Sequence, residues 1–318
     1  MEYTIRIKQN PVSGWLIGQC EEIPEVITQG KDMDELMMMI EDAIELALKC
    51  RRDEFNKTFI DSNTIVRKLI VGKEKKFVDE MIIPETSISD INKDKVNEYI
   101  EHIHQKHDDN DVIINDILYQ NLGITKNGQL TLGGLLFFAK KPQKIRHLFC
   151  VKAISFYGNS IGGLNYRDSR DIIGTLPDMF LESLSFFRQN LKHVQRGQNF
   201  NAVGILEISE IALEELIQNA LIHRDYTQNS PIRLMIFDNR IEIISPGCLP
   251  NNLTVEKIKL GYAVVRNNLI ASYSAKLLRY RGFGSGIIRA VENQPNIELI
   301  NDDEGNQFIV KIPREEFN

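Results

Sequence analysis

Cysteine is scarce in this chain and never closely spaced. Cys20, Cys50, Cys150 and Cys248 are scattered over 318 residues with no Cys-x-x-Cys, which excludes a zinc ribbon and a disulfide-built scaffold and reads as reduced cytoplasmic thiols. Long apolar runs are also missing. No stretch reaches membrane-spanning length, and Met1-Glu2-Tyr3-Thr4 lacks the basic-then-apolar layout of a secretory leader, so a cytoplasmic protein without a membrane partner is expected. An excess of positive charge is absent as well. With a formal net charge of -6, contact with nucleic acid has to come from a local patch rather than from the field of the whole molecule. Finally, no Gly-x-x-x-x-Gly-Lys-Ser/Thr occurs anywhere, which excludes a P-loop helicase.

What remains is globular. Hydrophobic residues at 42% and charged residues at 26% suit folded domains rather than global disorder, and the length allows two or three of them. Residues 3 to 8 alternate as a strand, 11 to 14 can turn, and 15 to 19 supply a second strand. Asp32 then stands where an N-cap belongs, with Glu35 three residues later as in a capping box. Leu36, Met37, Ile40, Ala43, Ile44 and Ala47 carry helical spacing to about Cys50. From Arg51 to about Asp109 the chain is charge-rich. Its Lys73, Lys75 and Lys76 read as a solvated face, and His102, His104 and His107 as an exposed helix rather than a metal cluster. Asp116 to Asn121 reads as helix, Lys126 to Gln129 as a turn, Leu130 to Phe138 as an apolar strand or helix, and Cys150 to Tyr157 as a strand. Leu176 to Leu191 predicts an amphipathic helix burying Met179, Phe180, Leu184, Phe187 and Leu191.

The most informative segment is Glu215-Leu-Ile-Gln-Asn-Ala-Leu-Ile-His-Arg-Asp-Tyr226, opened by Ser209 as a cap. Leu213, Ile217 and Leu221 form one apolar row of a helix, with Ala212, Leu216 and Ala220 beside it. Glu215, Asn219 and His223 form the adjoining row at the border of core and cleft, so a carboxylate and an amide can address one ligand. Two strands follow, Ile232 to Phe237 and Ile241 to Ile244, joined by Asp238-Asn239, residues that tolerate positive φ in a tight hairpin. Gly282, Gly284 and Gly286 then precede an expected helix from Ile287 to Asn293, and exposed N–H groups at a helix start make a phosphate site.

With Ser245-Pro246-Gly247 and Gly282-Phe283-Gly284-Ser285-Gly286, this string resembles the GHKL nucleotide-binding fold shared by gyrase, histidine kinases and MutL. More narrowly it is similar to the divergent branch in RecG-related or Schlafen-AlbA-type bacterial regulators, from about Asp90 to Pro313. The resemblance implies ATP and Mg²⁺ as cofactors, Glu215 as the general base for water and Asn219 as the Mg²⁺ ligand. It implies nucleotide contacts for Asn219, His223, Arg224, Ser245, Gly247, Gly282, Gly284 and Gly286. For Arg224 a structural pairing with Asp225 stands beside phosphate contact. The wider class carries an aspartate for the adenine amino group where this chain has Ser245, which puts adenine selectivity in question.

Tyr3-Thr4-Ile5, Gly14-Trp15-Leu16, Ile23-Pro24-Glu25-Val26 and Thr28-Gln29-Gly30-Lys31 resemble the HicB antitoxin N-terminal domain. That family has a small α+β fold related to RNase H and works by holding a partner. The expected architecture is a multidomain α+β chain. A HicB-like domain covers residues 1–55, a linker and helical or winged-helix-like region 56–145, and a GHKL-like α/β sandwich 146–318. The expected function is a nucleotide-binding regulatory protein, a transcriptional regulator or DNA-associated protein, with weak or no ATPase activity. The alternatives are an antitoxin-like interaction module with a decayed nucleotide site, and a working ATPase driven by lid closure and dimerisation. DNA, a protein held by the N-terminal domain, and a second copy of the chain are the partners this reading admits.

Overall fold

The computed structural model describes residues 2–11, 13–23, 26–50, 65–70, 77–104, 115–163, 165–195, 204–250, 253–278, 280–282 and 284–314. They belong to two compact units, Met1–Lys76 and Phe77–Asn318. Lys73, Lys75, Lys76 and His107, read above from sequence, lie outside the described residues.

The first unit contains β1 (Glu2–Gln9), β2 (Leu16–Cys20), β3 (Ile27–Gly30), α1 (Met33–Cys50) and β4 (Ile65–Ile70). The strands form an antiparallel sheet in the order β3-β2-β1-β4. Alternation along β1 places Tyr3, Ile5 and Ile7 on one face, where they share a core with Leu36, Ile40 and Ile44 of α1. The helix begins as its sequence dictates: Glu35 N donates to Asp32 Oδ1 at 2.8 Å, and Glu35 Oε2 accepts from Lys31 N at 2.8 Å. Close packing of helix on sheet depends on Gly30, where an added Cβ would stand 2.4 Å from the Leu36 nitrogen.

The second unit runs α2 (Lys93–His104), α3 (Asp116–Asn121), β5 (Thr125–Lys126), β6 (Gln129–Leu130), α4 (Leu132–Phe138), β7 (Val151–Phe156), β8 (Tyr166–Ile172) and α5 (Leu176–Asn190). It continues with β9 (His193–Val194), β10 (Ile205–Leu206), α6 (Glu210–Ile222), β11 (Ile232–Ile236), β12 (Arg240–Pro246) and α7 (Val255–Lys259). The last elements are α8 (Asn268–Leu277), α9 (Ser285–Asn293), β13 (Glu298–Asp302) and β14 (Gln307–Pro313). Six strands make one mixed sheet, ordered β13-β14-β12-β11-β7-β8. Only β11 and β7 run parallel within it.

Period-two alternation divides that sheet between two cores. Ile232, Leu234, Ile236, Ile241 and Ile243 join the main core with α5 and α6. Met235, Phe237 and Ile244 join Phe156 in a smaller cluster on the other face. In α5 all five residues expected to be buried are buried. Asp238 and Asn239 differ from the reading above, since neither adopts positive φ. Their groups are engaged instead: Asp238 Oδ2 accepts from Gly158 N at 2.7 Å and its Oδ1 pairs with Arg167, while the Asn239 backbone N–H donates to Asn159 Oδ1 at 3.1 Å and Asn239 Oδ1 accepts from Arg240 at 3.0 Å. Neighbouring-loop contacts hold this turn.

The apolar run Leu130–Phe138 resolves into the end of β6 and helix α4, because Thr131 Oγ1 accepts from Gly134 N at 2.9 Å and caps it. Among the described residues Ile83, Ile91, Val96, Tyr99, Leu135 and Phe138 share the main core with the sheet and its helices. The Tyr273 ring of α8 lies 5.3, 5.3 and 5.0 Å from those of Tyr99, Phe137 and Phe138. The buried Asp79 caps α8, accepting from Ile270 N at 2.9 Å. Burial pushes this carboxyl up to about 6, and its Oδ1 has no partner among the described residues. Among the described residues no helix is long and apolar enough to cross a membrane, and no group of three metal-ligating side chains occurs.

Candidate nucleotide site

Helix α6 is anchored by two buried rows, Leu213/Ile217/Leu221 and Ala212/Leu216/Ala220. That anchoring turns the third row, Glu215, Asn219 and His223, into a cleft. The cleft is also lined by Tyr280, Arg281 and Gly282 and by Gly284, Gly286 and Arg289, and the rest of the lining includes Ile243, Ser245, Gly247, Leu249, Ile258 and Phe308. Its charged side chains are Glu215, Arg281 and Arg289, and most of the remaining lining is apolar.

Asn219 Nδ2 donates to the Glu215 carbonyl of its own helix at 2.7 Å. This fixes the amide and leaves Oδ1, the atom able to bind a cation, without a protein partner among the described residues. Glu215 is an ion-pair partner of Arg289, with only 12% of its side chain exposed. Burial raises the carboxyl above its ordinary range, outweighing the opposing pull of Arg289 and Arg281. His223 Nε2 lies 2.9 Å from the Tyr280 hydroxyl, and burial, aided by Arg266, pushes its imidazole down to about 4. It is neutral at pH 7 and positions Tyr280.

The glycines differ in what they permit. Gly284 caps α9 with φ +72°, and a Cβ there would meet the Gly261 carbonyl oxygen at 2.0 Å. Gly286 allows close approach across the cleft: its Cβ would stand 2.6 Å from Glu215 Oε2 and 3.1 Å from Asn219 Nδ2. No side chain caps α9, so its first N–H groups are open to an anion. Gly282 has φ +70° with nothing nearer than 3.7 Å to its missing Cβ. Its contribution is backbone freedom. At Gly247, φ is +100° and a Cβ would lie 2.4 Å from Asp225 Cβ and within overlap of Arg266, so this glycine lets the 225 loop and Arg266 meet β12.

Two sequence-predicted site residues have other engagements. Arg224 is outside the cleft lining and fully buried, its guanidinium 4.4 Å from the Phe149 ring centroid and 4.7 Å from that of Tyr226. It donates to the carbonyls of Gln228, at 2.9 Å, and Ser230, fastening the loop after α6. Ser245 borders the cleft but donates its hydroxyl to the Ala220 carbonyl at 3.0 Å, tying β12 to α6. Sequence reading missed Arg289, Arg281, Tyr280 and Asn267. Of these, Asn267 Nδ2 donates to the Ile222 and Arg224 carbonyls at 2.8 and 2.9 Å, closing the C-terminal end of α6. Only Arg289 carried a local signal, one helical turn after Gly286.

Residues 229–312 match the family described as "Putative ATP-dependent DNA helicase recG C-terminal". The match runs from just before β11 into β14 and includes Ser245, Gly282, Gly284, Gly286 and Arg289, while α6 precedes it. The match supports an ATPase-like C-terminal domain at a coarse level. Residues 67–151 match a domain of unknown function, DUF8451. No curated protein matches the chain. Among solved structures, the DIP2311 protein from Corynebacterium diphtheriae is similar with a TM-score of 0.53 at 16% identity, over 76% of this chain and 47% of that one. The chain thus spans about half the length of that neighbour, and the likeness is one of mixed α+β fold.

Proposed function

We propose that the α6–α9 cleft binds a magnesium nucleotide and that the protein is a nucleotide-responsive regulator with slow or no hydrolysis. The observation that carries this is the seating of an uncapped α9 on Glu215 and Asn219, made possible by Gly286. The donor set fits the ligand. Asn219 Oδ1 would hold the cation, the open N–H groups of α9 with Arg281 and Arg289 would receive phosphate oxygens, and the apolar lining would take the base. A bound Mg²⁺-nucleotide supplies a charge-neutralised phosphorus open to attack by water. Glu215 is the proton acceptor on this reading, and a carboxyl raised by burial suits that role.

A second reading has its own support. Glu215 is already matched by Arg289, and Ser245 spends its donor on the backbone, as in a site that no longer handles nucleotide and serves interaction alone. Titration calorimetry with ATP, with and without Mg²⁺, on the full chain separates the two. Binding that strengthens with Mg²⁺ in the parent and loses that dependence in Asn219→Ala supports the first. No heat of binding to millimolar ATP supports the second. Where phosphate release is measurable, Glu215→Gln should slow it about a hundred- to ten-thousand-fold.

Regulation, DNA association and a cytoplasmic setting rest on the resemblance to RecG-related regulators. The first unit, three strands, a helix and a fourth strand with one helix on one sheet face, is proposed as a HicB-like module that holds a protein partner or a second copy. Sedimentation of Met1–Lys76 alone tests the second-copy version.

A further inference from the structure

Arg289 lies on α9 three residues beyond Gly286, so both present the same helix face to α6. Its Nη2 is paired with Glu215 Oε1, with 31% of the arginine side chain and 12% of the glutamate exposed, and its Nε is buried without a partner among the described residues. A guanidinium has five donors in a rigid fork. Here the pairing within the protein is with Glu215, beside the free Oδ1 of Asn219 and the open start of α9. A phosphate brings more acceptor oxygens than one carboxylate contact uses and matches the fork bidentately. It therefore competes with Glu215 for the same guanidinium. Glu215, for its part, has its other oxygen against Gly286, where any side chain would displace it. The pair and the helix contact hold each other closed.

We propose that Arg289 is a phosphate-sensing residue: Glu215 holds it when no nucleotide is bound, and the terminal phosphate of a nucleotide takes it over and releases the Glu215 carboxylate. The inference rests on the nucleotide reading above and adds to it a competition between an internal carboxylate and the ligand. Occupancy then frees the proton acceptor at the moment it is needed.

The test is a double-mutant cycle on the full chain, with Mg²⁺ and either ATP or inorganic tripolyphosphate titrated into the parent, Glu215→Gln, Arg289→Gln and the double variant. Removing the competitor in Glu215→Gln should tighten binding about tenfold, and Arg289→Gln should weaken it by about tenfold or more. In the Arg289→Gln background the effect of Glu215→Gln should shrink to less than about threefold. Equal tightening in both backgrounds would mean that Glu215 acts by repulsion alone, and it would overturn the proposal. If the parent binds and Glu215→Gln binds no better, the proposal falls and the nucleotide reading stands. If neither binds to millimolar ligand, both fall. Circular dichroism checks each fold, and should Arg289→Gln not fold, Arg289→Lys takes its place: it keeps the charge and loses the fork, so an intermediate affinity is expected and parental affinity refutes.

Discussion

Gly284 and Gly286, two residues apart, should respond differently to the same added methyl group. Gly284 sits at φ +72°, and its Cβ would overlap a backbone oxygen, that of Gly261, at 2.0 Å. Alanine in the left-handed region costs about 1–2 kcal/mol, and relieving an overlap with backbone adds about 1–3 kcal/mol. The sum is a loss of about 2–5 kcal/mol. Gly286 is inside α9, where alanine gains up to about 1 kcal/mol of helix propensity, and its nearest neighbour is the movable end of Glu215. Displacing a partly exposed ion pair costs about 0–1 kcal/mol, so Gly286→Ala should be neutral within about 1 kcal/mol. A domain of this size shifts its melting temperature by about 2–4 °C per kcal/mol. Circular dichroism melts should therefore show Gly284→Ala falling by about 5 °C or more and Gly286→Ala staying within about 4 °C of the parent. Nucleotide titration should still weaken for Gly286→Ala, whose methyl group stands against Glu215 and Asn219. Equal destabilisation of the two variants, or a fully stable Gly284→Ala, would refute the argument.

Three further outcomes follow from the same geometry. A chain begun at Phe77 should fold, while one begun at Asp90 should be molten by near-ultraviolet circular dichroism. It loses the buried Ile83 and the Asp79 cap of α8, together about 2–5 kcal/mol. With a folded-state value near 4 against 6.5 unfolded, His223 contributes stability that is present above pH 6.5 and lost as pH falls through 4. The loss is about 2–3 kcal/mol, and urea melts between pH 7 and pH 4 should show it for the parent but not for His223→Asn. Because Glu215 is the one carboxylate among the described cleft-lining residues and Ser245 donates to Ala220, ATP and GTP should bind within about a hundredfold of each other. Parallel titrations showing a thousandfold preference would contradict that account.

Local periodicity made the regular elements legible. The α1 and α5 stripes, the rows of α6, and the β11–β12 hairpin each follow from spacing that a helix or a pleated strand turns into one buried face. The run Leu130–Phe138 stayed ambiguous because every residue from Leu130 to Ala139 is buried, and an apolar run without polar alternation has no period to read. Long-range meeting was invisible too. Nothing in the spacing of Tyr99, Phe137, Phe138 and Tyr273 says that their rings meet, and the single aspartate Asp79 gives no sign that it caps a helix nearly two hundred residues later.

The site shows the same boundary at finer scale. Glu215, Asn219 and His223 were legible as a face because four-residue spacing is a property of one helix, and the glycines were legible because backbone freedom is a property of one residue. Which charges oppose each other across the cleft is a property of two helices and is not encoded in either alone. One unused sequence feature could have bridged the gap. Gly286 sits inside a helix that gains nothing from its flexibility, so its presence marks a face that another element approaches to within a methyl group. Arg289, three residues on, is the side chain that face presents, and the element it meets carries Glu215. An unneeded glycine one turn before a charged residue thus points to a close electrostatic contact before any coordinates are known, although only the coordinates name the partner.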